Sequence, residues 1–308
     1  MTDYQRSTGW VCEFKGVIAA SVTPFADDGS VSIERIPALV DFLIERGVDG
    51  IMVGGTTGEF VTMTPSERVA ALSAFVEAGD HRVPIIAHVG AADPNTARQL
   101  TTSAASVGAD AIVAMTPQFF PSTNAAIERY FGEIASTAPE LPLLVYEFPA
   151  RAGNTTSPLL FERLLELPNL AGIKVSAERL EEITDFLTFE PDILVVCGND
   201  SLQADFIAQG GRAIVSGNAA VYPEVSRAVF DALMDDAEGT VERSTLDDLA
   251  ILSRAGSPDR LKELLRDRGV DAGIARCRTY LPSDPEFPSG VEIPESVADL
   301  LIHGPRAR

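Results

Sequence analysis

Three observations predict an α/β fold for this chain, a (β/α)8 TIM barrel with a C-terminal helical extension. Eight short apolar runs alternate with longer stretches of helical periodicity. Each run is mostly apolar and continuous instead of alternating with polar residues, as expected of strands buried on both faces of a parallel sheet. The 308 residues suffice for such a barrel, which takes about 250, plus an appendage.

The first run, Gly16 to Val22, leads to a helix expected over Ser32 to Arg46, where Gly47 supplies the left-handed cap that a helix end favours. Gly50 to Val53 is followed by Pro65 to Ala78, and Pro84 to Val89 by Thr96 to Val107, again closed by a glycine, Gly108. Ala111 to Met115 pairs with Asn124 to Thr137, and Leu143 to Phe148 with Pro158 to Leu167. Ala171 to Val175 precedes Leu180 to Phe189, Ile193 to Cys197 precedes Ser201 to Gln209, and Ala213 to Ser216 is the eighth run. After it, Pro223 to Met234, Val241 to Ala255 and Asp259 to Gly269 read as further helices, more than a bare barrel needs. Tyr280 to Pro294, rich in Pro, Ser and acid, reads as an irregular arm, with a short helix over Glu295 to Leu301. The expected boundaries are an N-terminal arm over 1–13, a catalytic barrel over 14–225, and a helical extension and tail over 226–308.

The formal charge of -21 opposes binding to nucleic acid or to an anionic membrane surface. No apolar run approaches the roughly 18 to 20 residues that span a bilayer, and the polar first ten residues carry no secretory pattern, so a cytoplasmic protein is expected. The three cysteines, Cys12, Cys197 and Cys277, lie too far apart in sequence to offer a zinc motif or a disulfide framework.

A barrel presents its chemistry at the carboxyl ends of its strands. The sixth run, Leu170-Ala171-Gly172-Ile173-Lys174-Val175-Ser176, carries a lysine there, one of only three in the chain. Burial disfavours the ammonium form, and a neutral amine attacks ketones; equally, a strand-end lysine reaches solvent or pairs with a carboxylate. Tyr146, near the end of the fifth run and just before Pro149, is placed for proton transfer or to fill the barrel mouth. Arg151 offers a guanidinium for an anionic substrate, or is a surface arginine. After the second run, Gly54-Gly55-Thr56-Thr57-Gly58-Glu59 joins glycines that admit a ligand to hydroxyls that bind a carboxylate or relay a proton, although a tight strand-to-helix turn would use the same residues. It lacks the Lys-Ser/Thr pair of a phosphate-binding loop. His88 reads as a core or rim histidine, and Gly198-Asn199-Asp200 and Ser216-Gly217-Asn218 as loops that either read a substrate or simply turn.

Together, Gly55-Thr56-Thr57-Gly58-Glu59, Tyr146 before Pro149, and Gly172-Ile173-Lys174 resemble the dihydrodipicolinate synthase and N-acetylneuraminate lyase family, from about Phe14 to Asn218. The resemblance implies a barrel enzyme, commonly a homotetramer, that needs no metal or dissociable cofactor. It implies Lys174 as the Schiff-base lysine, Tyr146 and Thr56 as the proton relay, and Thr57 with Gly55 at the carboxylate. Arg151, Ser176, Asp200, Ile214 and Ser216 then complete the substrate pocket. Two positions depart from the pattern. Phe119, in Pro117-Gln118-Phe119-Phe120, stands where the synthases carry a relay tyrosine, and Ser201 where sialic-acid lyases carry a glutamate. A phenyl ring relays no proton. The expectation is a lyase or aldolase acting on pyruvate or a smaller 2-keto-3-deoxy sugar acid, with an aldehyde as the second partner. A synthase, a dehydratase using the same lysine, and a non-catalytic keto-acid-binding protein stand as alternatives.

Overall fold

The computed structural model describes residues 9–189, 192–235, 240–253, 256–277 and 293–303. Eight strands follow one another in a closed barrel in the order β1 to β8. They are β1 Gly16–Ala20, β2 Gly50–Val53, β3 Ile85–His88, β4 Ala111–Met115, β5 Leu143–Glu147, β6 Leu170–Val175, β7 Leu194–Cys197 and β8 Ala213–Ser216. Every strand residue except Ala20 is buried, which is why the runs carry no polar alternation. The pairings are parallel, and Tyr146 stands opposite Lys174. Gly172, between them in the motif, is required by packing: a Cβ there would lie 2.5 Å from the Leu194 carbonyl oxygen of β7.

The helices are α1 Gly9–Glu13, α2 Ile36–Glu45, α3 Pro65–Gly79, α4 Pro94–Val107, α5 Asn124–Thr137, α6 Pro149–Ala152 and α7 Pro158–Leu164, then α8 Glu181–Thr184, α9 Gln203–Ala208, α10 Pro223–Asp235, α11 Thr240–Leu252, α12 Pro258–Asp267 and α13 Glu295–His303. Three of them start from one device. Thr64-Pro65, Asp93-Pro94 and Ser157-Pro158 each put an oxygen-bearing cap ahead of a proline that needs no hydrogen-bonding partner in the first turn. At Thr64 the cap is reciprocal, since Glu67 accepts the Thr64 N–H at 2.8 Å.

Several elements depart from expectation. β1 stops at Ala20, two residues early, where Ser21-Val22-Thr23 runs towards Pro24. The helix expected over Leu180 to Phe189 is one α turn followed by 3₁₀ helix from Asp185 to Phe189. Residues three apart eclipse in a 3₁₀ helix, and that spacing lets Phe186 and Phe189 both pack edge-on to Phe161. The first four residues of the expected Ser32 helix also lie outside the α-helix, which begins at Ile36 after 3₁₀ turns over Ile33–Arg35. α1 occupies part of the stretch expected as an arm. The irregular arm expected over Tyr280 to Pro294 lies, apart from its last two residues, outside the described residues.

By compactness the chain forms two units. One comprises Pro84–Val215 with the residues before Gly16; the other comprises Gly16–Val83 with the residues from Ser216 onwards. No helix among the described residues is long and apolar enough to cross a membrane.

Candidate active site

In the unit containing Pro84–Val215, the carboxyl ends of β5, β6 and β7 bring Lys174, Tyr146, Ser176 and Gly198 together. Lys174 is 5% exposed, and its Nζ lies 3.5 Å from the centroid of the Tyr146 ring. Nζ donates to Ser176 Oγ at 2.9 Å, while the Ser176 hydroxyl proton goes to the Gly198 carbonyl at 3.2 Å. The serine is therefore held as an acceptor towards the amine. Gly198 leaves the room this needs, since a Cβ would stand 2.5 Å from Ser176 Oγ and 3.0 Å from Lys174 Nζ. Burial lowers the Lys174 pKa, and the opposing pulls of Tyr146, Cys197 and Asp200 are smaller. The amine is thus driven towards its neutral, nucleophilic form.

Asp200 is near enough to act on Lys174 electrostatically and receives the Gln203 amide at 3.2 Å. Asn199 aligns this turn, donating to the Ala177 carbonyl at 2.7 Å and accepting from Ser201 N at 3.0 Å. Ile214 on β8 is buried and pairs with Cys197. Burial raises the Cys197 thiol to about 12, so it stays protonated and unreactive.

Two groups beside this cluster were not assigned a role from sequence. His88 is the core histidine expected, but its ring stands edge-on to Tyr146 with centroids 6.0 Å apart. Glu147, the next residue on β5, is buried and accepts the Thr156 N–H at 2.7 Å. Burial lifts its carboxyl to about 7, against the lowering pull of Thr156 and with a small raising contribution from Glu182. An acidic residue inside an apolar strand was the available signal, the same one that marked Lys174.

Arg151 is exposed on α6, with its guanidinium 6.0 Å from the Phe148 ring. The preceding loop is fastened to the same segment. Asn154 donates to the Pro117 and Phe120 carbonyls at 2.6 and 3.0 Å and accepts from Ser122 N at 2.7 Å. Phe119 in that loop is 85% exposed and holds a left-handed φ of 79°, which a bulky residue rarely adopts.

In the other unit, the turn after β2 presents Thr56 exposed and Thr57 half-buried above buried Gly54 and Gly55. Its packing explains its glycines: a Cβ at Gly58 would lie 3.2 Å from both Gly54 Cα and the Ser21 carbonyl oxygen. Thr23 donates to the Gly58 carbonyl at 2.8 Å, and Glu59 N to the Thr56 carbonyl at 3.0 Å. Ser216 is buried, its hydroxyl accepting from Ala219 N at 3.0 Å. No group of three or more His, Cys, Asp or Glu able to hold a metal ion occurs among the described residues.

Known proteins resemble this chain in sequence and in fold. A 4-hydroxy-tetrahydrodipicolinate synthase of Persephonella marina is 36% identical over 213 residues, 68% of this chain and 72% of the relative. A prophage protein of the dihydrodipicolinic acid synthase family from E. coli K12, solved in complex with pyruvate, matches with a TM-score of 0.78 at 26% identity, covering 93% of this chain and 96% of that one. The wild-type sialic acid aldolase of Ruminococcus gnavus shares the fold, with a TM-score of 0.81 at 24% identity over 86% of this chain and 90% of that one. The pattern of the dihydrodipicolinate synthetase family matches residues 13–286, and this chain belongs to that family.

Proposed function

We propose that the protein is a Schiff-base lyase acting on pyruvate or a 2-keto-3-deoxy sugar acid, making or breaking the C3–C4 bond. The observation that carries this reading is Lys174: a buried amine hydrogen-bonded to a hydroxyl and set against a tyrosine ring. Its neutral form attacks C2 of the keto acid to give a carbinolamine. Tyr146 moves protons as water leaves, with Thr56 completing the relay. The resulting iminium withdraws electrons from C3, so a C3–C4 bond cleaves to release an aldehyde, or the enamine adds to one. Thr57, Gly55 and the strand-end residues Ile214 and Ser216 take the keto acid's carboxylate end. Ser176, Asp200 and Arg151 meet the remaining polar groups, and Arg151 supplies positive charge in a chain of net charge -21. No metal or dissociable cofactor enters these steps.

The synthase activity named for the Persephonella marina relative is the second reading, favoured by 36% identity. Phe119 weighs against it, because it has no hydroxyl to relay a proton. We further propose a catalytic barrel over 14–225 with its helical extension over 226–308, a cytoplasmic location, and a homotetramer in which the exposed Phe119 and Phe120 are covered by another copy.

Borohydride reduction in the presence of pyruvate, followed by mass spectrometry, tests the chemistry. Wild type should gain a reduced pyruvate adduct on Lys174, and Lys174→Ala none. A folded wild type that gains no adduct with pyruvate or with larger 2-keto acids would refute the reading. Product analysis on a panel of keto acids separates cleavage, which frees pyruvate, from dehydration, which does not.

A further inference from the structure

We propose that Lys262 and Glu59 act as a positioning pair through which helix α12 fixes the Gly55–Glu59 turn and, with it, the two threonines that receive the keto acid. The inference rests on the assignment of Thr56 and Thr57 to substrate and gives the C-terminal extension a part in that site.

Glu59 holds a left-handed backbone, φ 59° and ψ 33°, a conformation that side chains resist. Its main chain closes the turn, the N–H donating to the Thr56 carbonyl at 3.0 Å and the carbonyl accepting from Thr62 N at 2.9 Å and from Thr62 Oγ1 at 2.8 Å. The orientation of Thr56 and Thr57 therefore follows that of Glu59. The side chain is gripped at both oxygens. Oε1 accepts from Lys262 Nζ at 2.7 Å, and Oε2 from Cys277 N at 2.5 Å. Both partners of the ion pair are 1% exposed. Lys262 also donates to the Ile274 carbonyl at 2.7 Å and lies 4.3 Å from the centroid of the Phe25 ring, whose other cation is Arg276 at 4.2 Å.

A buried ion pair contributes little net stability over a well-packed apolar pair, because desolvation offsets the attraction; its best-attested use is to specify one geometry. Here that geometry is a strained residue in the turn that carries both threonines. Strain held by surrounding contacts at a ligand-facing turn fits a positioning role better than a bulk stabilising one.

The test is pyruvate trapping on Lys174 by borohydride, measured against pyruvate concentration, with melting temperature read alongside. The variants are Lys262→Met, Glu59→Gln and the double variant Glu59→Gln/Lys262→Met. Lys262→Met should keep the maximal adduct yield but raise the half-saturating pyruvate concentration about tenfold, as expected when a binding contact is misplaced. The double variant, which leaves no carboxylate buried alone, should recover melting temperature but not half-saturation. Half-saturation within about twofold of wild type in a folded variant, or recovering in step with melting temperature, would overturn the proposal. If Lys262→Met does not fold, Glu59→Gln and the double variant decide by the same criteria. Absence of any adduct on wild type would instead refute the Schiff-base reading.

Discussion

Glutamine at position 147 should change how stability depends on pH. Glu147 is buried at the end of β5, and its carboxyl is lifted from 4.5 to about 7, chiefly by desolvation. A shift of about two and a half units corresponds to roughly 3 kcal/mol at about 1.36 kcal/mol per unit. Because the folded state holds this proton more tightly than the unfolded chain, the stabilising contribution is full below pH 4.5. It is lost as pH rises through about 7, after which the buried carboxylate imposes its whole penalty. Glutamine does not titrate, and its side-chain oxygen still accepts from Thr156 N. Urea unfolding of wild type and Glu147→Gln at pH 4.5 and pH 8 isolates the effect, since other groups cancel in the difference. The variant should gain about 2 to 3 kcal/mol on wild type between the two conditions. A gap that changes by less than about 0.5 kcal/mol would show that Glu147 ionises normally and that its burial imposes no such penalty.

Tyr146→Phe keeps the ring above Lys174 and removes the proton-transfer group, so turnover should fall by about 10² to 10⁴ while pyruvate still saturates the enzyme; steady-state kinetics check it. Gly198→Ala drives a methyl group into Ser176 Oγ and Lys174 Nζ. Stopped-time borohydride trapping should show adduct formation slowed at least about tenfold with the fold intact by circular dichroism. Asn154→Ala removes three hydrogen bonds that fasten the Phe119 loop. It should lower stability by about 1 to 3 kcal/mol in denaturant titration.

The barrel was legible because its strands are buried on both faces, so continuous apolar runs marked β2, β4 and β8 to the residue. Lys174 was legible for the converse reason, a charged side chain interrupting such a run. What escaped depended on side-chain packing between segments remote in sequence. The 3₁₀ stretch after α8 follows from aromatic contacts with Phe161, and Asn154 fastens a loop more than thirty residues earlier. The pairing of Glu59 with Lys262 spans 203 residues. A residue pattern with no partner in view contains none of these facts. Phe119 was read for its missing hydroxyl, and nothing in its neighbours forecasts the left-handed backbone that thrusts it into solvent.

The chain has three lysines, two of them buried, and their partners assign them opposite roles. Lys262 faces a carboxylate at 2.7 Å; burial lowers its pKa to about 8, and attraction to Glu59 resists a further fall, so at neutral pH it remains mostly ammonium. Lys174 is hydrogen-bonded to the neutral hydroxyl of Ser176, and in its case burial is the largest influence on the pKa, moving it downwards. The amine available to a ketone is therefore Lys174, although both side chains are buried. An ammonium bound to a carboxylate and a carbonyl has no free lone pair for carbon. Selective trapping at Lys174 over Lys262 would follow from these partners, and comparable labelling of both would mean that burial alone, without the counter-charge, sets lysine reactivity in this barrel.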